Sequence, residues 1–150
     1  MSDPIYMQMS RSGDPQKLAQ AHRVALLQEI PLFDGVSKRH LRHLAKLTRI
    51  EQFGADQDLL VEGQASTVAF VLIAGTVVVR RKGRKIAELG PGQVVGELGL
   101  LLERPRAATV RSITPVECLA LDRRALKAAV VELPRLGWDL LETVATRLSD

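Results

Sequence analysis

The stretch from about Ile50 to Leu121 limits most severely what this chain can fold into, because it is a succession of short apolar runs that glycine interrupts before any of them could build a helix. The runs DLLVEGQ, VAFVLIAGTVVVRRKGRKIAELGPGQ and ATVRSITPVECLALD alternate with turn residues at Gly54, Gly63, Gly75, Gly83, Gly90 and the Pro91-Gly92 pair. A helix would need apolar residues recurring every three or four positions without breaks, whereas short runs between turn residues suit antiparallel hairpins. The segment predicts a mainly β region, an antiparallel β-barrel or jelly roll.

Helical patterns flank it on both sides. Asp14 followed by Pro15 resembles an N-cap with proline at the first helical position, and Leu18, Val24, Leu26 and Leu27 suggest a helix to about Ile30, where Pro31 stops it. Ser37 can cap a second helix carrying Leu41, Leu44 and Leu47. After the strands, Asp122 can cap a helix through Leu133, and Pro134 can open a last one with Leu140, Leu141, Val144, Ala145 and Leu148. Residues 1–14 read as a flexible arm and 15–150 as one domain, a length and a 46% hydrophobic share sufficient for a core.

Several function classes fall away on composition. The N-terminal MSDPIYMQMSRSGDPQ has no apolar core of the kind a secretory signal needs, and the longest apolar stretch, Val68 to Val79, is broken by Gly75 and Thr76 and falls short of the roughly 20 residues of a membrane span. With the single cysteine, Cys118, excluding an intrachain disulfide, a cytoplasmic location is expected. The net charge of +4 raises the question of nucleic acid. Its densest cluster, Arg80, Arg81, Lys82, Arg84 and Lys85 around Gly83, reads as a hairpin tip with solvated charges, and aromatic residues for base stacking make up only 3%. No nucleic-acid contact is expected. His40 and His43 lack a nearby acidic or cysteine partner in sequence and read as solvated, so no metal is expected. Cys118 reads as packed in or beside the core, and Trp138, Leu140, Leu141 and Val144 read as packing rather than a ligand lid.

One segment breaks the strand pattern: Gly96-Glu97-Leu98-Gly99-Leu100-Leu101-Leu102-Glu103-Arg104-Pro105-Arg106-Ala107-Ala108-Thr109. A short helix after Gly96 would leave unpaired N–H groups that favour an anion. Arg106 can supply a planar, permanently charged fork for two phosphate oxygens, while Gly96, Gly99, Ala107 and Ala108 are small enough for a ligand to approach the main chain. Glu97 would repel an anion unless it faces a hydroxyl, for which a ribose 2′-OH is the obvious donor. One arginine for phosphate and one glutamate for sugar suit a cyclic nucleotide.

These residues resemble the phosphate-binding cassette of the cyclic-nucleotide-binding domain family, which includes catabolite-activator-type regulators, cAMP-dependent kinase regulatory subunits and cyclic-nucleotide-gated channels. The resemblance rests on the Gly-Glu-Leu opening, the step from Glu97 to Arg106 and the Pro-Arg-Ala-Ala-Thr ending. It extends over Leu32-Phe33, Glu62-Gly63, the run from Val71 to Val77, Gly90-Pro91-Gly92 and the residues from Arg123 to Leu126. It implies that Glu97 and the Gly96 main chain hold the ribose, that Arg106 holds the phosphate, and that the amides of Leu98, Gly99, Ala107 and Ala108 complete the phosphate shell. Gly99 stands where the family commonly has alanine. Ala107 stands where a threonine or serine is associated with cGMP, so the resemblance implies cAMP over cGMP. Thr143, Thr146 and Ser149 are candidates to cap the base.

The implied protein is a non-catalytic sensor acting on a protein partner, or as a homodimer, through its C-terminal helix. The 150 residues hold no counterpart of a DNA-reading helix–turn–helix. A catabolite-activator-type regulator without its reader and an interaction scaffold that binds no nucleotide are the alternatives, and the overall resemblance is to bacterial proteins.

Overall fold

The computed structural model describes residues 15–149. The arm expected at 1–14, and Asp14 as a helix cap, lie outside the described residues. Two compact units emerge, one of helices on either side of the strands in sequence, the other from Arg49 to Arg123.

In the helical unit, α1 spans Pro15–Leu27, a 3-10 turn spans Pro31–Phe33, and α2 spans Lys38–Ala45. After the strands come α3, Arg123–Glu132, and α4, Pro134–Ser149. Ser37 caps α2 as expected, its hydroxyl accepting from the His40 amide. The helix ends sooner than the leucine spacing suggests: Leu41 and Leu44 are fully buried, but Leu47 lies beyond Ala45 and is exposed. Arg23 explains part of this early stop, because its Nη1 donates to the carbonyls of Ala45 and Thr48, satisfying the end of α2 from a neighbouring helix.

Two expectations in this unit need correction. His40 is buried rather than solvated, its Nδ1 lying 3.4 Å from an Asp139 carboxylate oxygen without a hydrogen bond among the described residues, and the partly exposed His43 places Nε2 3.1 Å from a carboxylate oxygen of Glu132. The carboxylates come from α4 and α3, distant in sequence, which is why a local search for partners missed them. The packing assigned to the last helix holds for Leu140, which is buried, but Trp138 and Leu141 are more than half exposed, and Trp138 Nε1 donates to Glu142 of its own helix. No helix among the described residues is long and apolar enough to cross a membrane.

The β unit is a jelly roll of two four-stranded antiparallel sheets. Its strands are β1 Arg49–Phe53, β2 Asp58–Leu60, β3 Val68–Ala74, β4 Val77–Arg81, β5 Arg84–Leu89, β6 Val94–Val95, β7 Thr109–Ser112 and β8 Val116–Asp122. One sheet has the order β1-β8-β3-β6 and the other β2-β7-β4-β5. Between them packs a core that includes Leu60, Phe70, Leu72, Val77, Val95 and Val110, with Phe53 set edge-on to Phe70 at 5.8 Å. β8 runs directly into α3, with Asp122 immediately before the first helical residue as the sequence suggests, and the Asp122 carboxylate also accepts from Arg49 Nη1 at 3.3 Å.

The basic cluster does form a hairpin tip. Lys82 and Gly83 both have positive φ, 51° and 78°, the two-residue geometry whose twist matches paired strands, and the cations around them are exposed.

Cys118 is fully buried on β8, its thiol donating to the Glu51 carbonyl, and burial is the main cause that pushes its pKa up to about 12. The nucleophilic thiolate therefore forms at ordinary pH only when the sheet opens. Native protein at pH 8 is expected to resist an alkylating thiol reagent and to react fully in denaturant. Stoichiometric reaction of the native state within minutes would contradict this placement.

Candidate functional site

Segment 96–108 does more than join two strands. It leaves β6 at the edge of one sheet and enters β7, which lies between β2 and β4 in the other, so it bridges the mouth of the β unit. Gly96 opens it with φ of 79°, and a methyl at its α-carbon would come within 2.7 Å of the Val68 carbonyl oxygen, so both conformation and space require glycine. A single 3-10 turn, Glu97–Leu100, follows, closed by the Gly99 amide donating to Gly96 O.

Its other end is tied to the loop before β3. Arg106 N donates to Gln64 O, Gly63 N donates to Arg106 O, and Ala65 pairs with Pro105 as an isolated bridge. These bonds fix the Arg106 backbone and send its side chain back under the 3-10 turn. There Nη1 donates to Gly96 O at 3.3 Å, and Nη2 donates to Val68 O at 2.6 Å and to Ser66 Oγ at 3.1 Å. All three acceptors are neutral. No carboxylate pairs with Arg106 among the described residues, its Nε is buried without a partner, and burial alone lowers its pKa. A half-buried guanidinium without a countercharge bears a desolvation cost that an anion would offset.

All seven residues singled out in the sequence, Gly96, Glu97, Leu98, Gly99, Arg106, Ala107 and Ala108, line one cleft of about 450 Å³. The amides of Leu98, Ala107 and Ala108 have no hydrogen-bond partner among the described residues, whereas that of Gly99 is consumed in closing the turn. Gly99 therefore makes room rather than donating: a methyl there would lie 2.7 and 2.8 Å from the two terminal nitrogens of Arg106. With only one 3-10 turn present, the macrodipole adds little, and the individual N–H groups carry the attraction for an anion.

The rest of the cleft was not singled out in the sequence. Leu60, Val79, Leu89, Val94, Val95 and Val110 give it an apolar wall, contributed by strands on both sheets, and Arg104 stands at its lining with Pro105. Only the strand alternation could have hinted at them, since apolar residues facing a cleft look in sequence like residues facing a core. The hydroxyls of Thr143, Thr146 and Ser149, candidates to cap a base, donate to carbonyls of α4 itself.

A cyclic nucleotide fits the chemistry of this cleft: a cation with only neutral partners, beside amides without a partner among the described residues, for a phosphate, a carboxylate on the same turn for a hydroxyl, and an apolar wall for a base. Comparison with known proteins leads to the same family. The model of the cyclic nucleotide-binding domain matches residues 50–132. A CRP-like cAMP-activated global transcriptional regulator of Mycobacterium tuberculosis is 27% identical over 128 residues, covering 82% of this chain and 57% of the regulator. Potassium channel AKT1 of Oryza sativa is 33% identical over 109 residues, 70% of this chain but only 12% of the channel. Among solved structures, the N-terminal domain of a transcriptional regulator from Streptomyces coelicolor superposes with a TM-score of 0.75 at 29% identity, covering 83% of this chain and 92% of that one. The chain thus spans little more than half of the mycobacterial regulator and a small part of the channel. This chain belongs to the cyclic nucleotide-binding domain family.

Proposed function

We propose that this domain is a cAMP sensor, a non-catalytic regulatory module whose ligand state is read by another protein or by a second copy of the chain. The observation that carries the reading is Arg106: a half-buried guanidinium with only neutral partners, set in a cleft beside the unpaired amides of Leu98, Ala107 and Ala108. In this reading the cyclic phosphate takes Arg106 and those amides, Glu97 accepts from the ribose 2′-OH, the Gly96 main chain lets the sugar approach closely, and the base lies along the apolar wall. The mycobacterial relative described as cAMP-activated supports cAMP as the ligand. No step of this scheme breaks a bond, and the cleft brings together no nucleophile and base.

Ala107 supports cAMP over cGMP, because its methyl offers no hydroxyl to the guanine amino group. Ala107→Thr is expected to raise cGMP affinity relative to cAMP by about tenfold, the worth of one added hydrogen bond at ~1.4 kcal/mol. Competition titrations of both nucleotides against wild type and variant check this; an unchanged ratio would mean that the base does not lie beside position 107.

A further inference from the structure

Among the described residues, Ser66 supplies the one side-chain hydrogen bond to the Arg106 guanidinium, and nothing in its local sequence marks it. Its hydroxyl accepts from Nη2 at 3.1 Å, across 40 residues of chain, while its carbonyl oxygen lies 2.9 Å from where a methyl on Gly99 would stand. Gly99 thus forms the other side of the same seat: the guanidinium lies against its bare α-carbon, with Gly96 O and Val68 O completing the rim. Three of the five guanidinium N–H groups are engaged in this seat, and Nε–H is left without a partner.

We propose that Ser66 is a positioning residue for Arg106, holding the guanidinium in place with a neutral hydroxyl so that its charge stays available to the ligand phosphate. The proposal rests on the cAMP reading of the cleft. A carboxylate at the same place would orient the guanidinium at least as firmly, because a charge-assisted bond is shorter and stronger than a neutral one, but it would also neutralise it. Orientation and charge therefore make opposite predictions for an acidic residue at position 66, and that separates this role from simple bracing.

The test uses Ser66→Thr, Ser66→Ala and Ser66→Asp, with cAMP titrated by calorimetry and thermal stability followed alongside. The threonine variant keeps the hydroxyl and should stay within about twofold of wild type; the alanine variant should bind about fivefold more weakly, and the aspartate variant about fiftyfold more weakly. Alanine with unchanged affinity, or aspartate binding as well as alanine or better, overturns the proposal. Should the aspartate variant fail to fold, the threonine and alanine pair decides.

A second readout needs no nucleotide: the Arg106 Nε–H resonance, identified by its loss in Arg106→Lys, should shift and exchange faster with water in Ser66→Ala. An unchanged resonance overturns the seat. A wild type that binds no cAMP yet shows this shift removes the ligand reading and leaves the seat standing, whereas wild-type binding with unchanged affinity in Ser66→Ala removes the seat alone.

Discussion

Arg106→Ala is expected to weaken cAMP binding by roughly a hundred- to a thousandfold, about 3 to 4 kcal/mol, the range for truncating one partner of a desolvated charge pair. The loss has two sources. The phosphate loses the guanidinium seated against the 3-10 turn, and the amides of Leu98, Ala107 and Ala108 remain as neutral donors that cannot replace it. The fold should survive, because the substitution also removes a half-buried cation whose lowered pKa already records a desolvation cost. The melting temperature is expected to move by no more than about 3 °C, equivalent to ~1 kcal/mol for a domain of this size. Calorimetry and a thermal melt on the same preparation check both halves; near wild-type affinity in a folded variant would place the phosphate elsewhere.

The largest effect on the fold itself is expected from Gly75→Ala. Gly75 turns β3 into β4 with φ of 93°, a conformation that L-residues rarely adopt. A methyl there would overlap the Pro115 carbonyl oxygen and lie 2.9 Å from the Val116 α-carbon, both backbone atoms at the start of β8. Neither neighbour can swing away as a side chain could, so strain and steric clash add together, and a loss of at least ~3 kcal/mol is expected. In a thermal melt this corresponds to a fall on the order of 10 °C, or to failure to accumulate as soluble protein. By contrast Gly83→Ala meets no neighbour within 4 Å and should cost only the price of its positive φ, so comparing the two separates crowding from backbone strain.

These two glycines also show what the sequence made legible. Gly75 and Gly83 punctuate apolar runs, and from such punctuation both the strand-rich core region and the hairpins could be read. The candidate site was readable for a similar reason: Gly96, Glu97, Arg106 and Ala107 lie in one continuous segment, so their spacing survives in one dimension. What the sequence hid was anything completed by a distant partner. Ser66 reaches Arg106 from a loop 40 residues away, and Asp139 and Glu132 approach His40 and His43 from helices that follow the strands in sequence, so the carboxylate beside each histidine could not be seen locally. Gly99 was misread for a subtler reason, since its small size was visible but the bond from its amide to Gly96 O, which removes it as a donor, depends on the tightness of a 3-10 turn.

The most direct test of the central claim is an equilibrium titration of the purified wild-type chain with cAMP, with 5′-AMP as a control that carries the same base and sugar but an open, more highly charged phosphate. The account predicts saturable one-to-one cAMP binding at micromolar or lower concentration and at least about tenfold weaker binding of 5′-AMP, a difference of ~1.4 kcal/mol. A folded protein that binds neither nucleotide, or binds both equally, would contradict it.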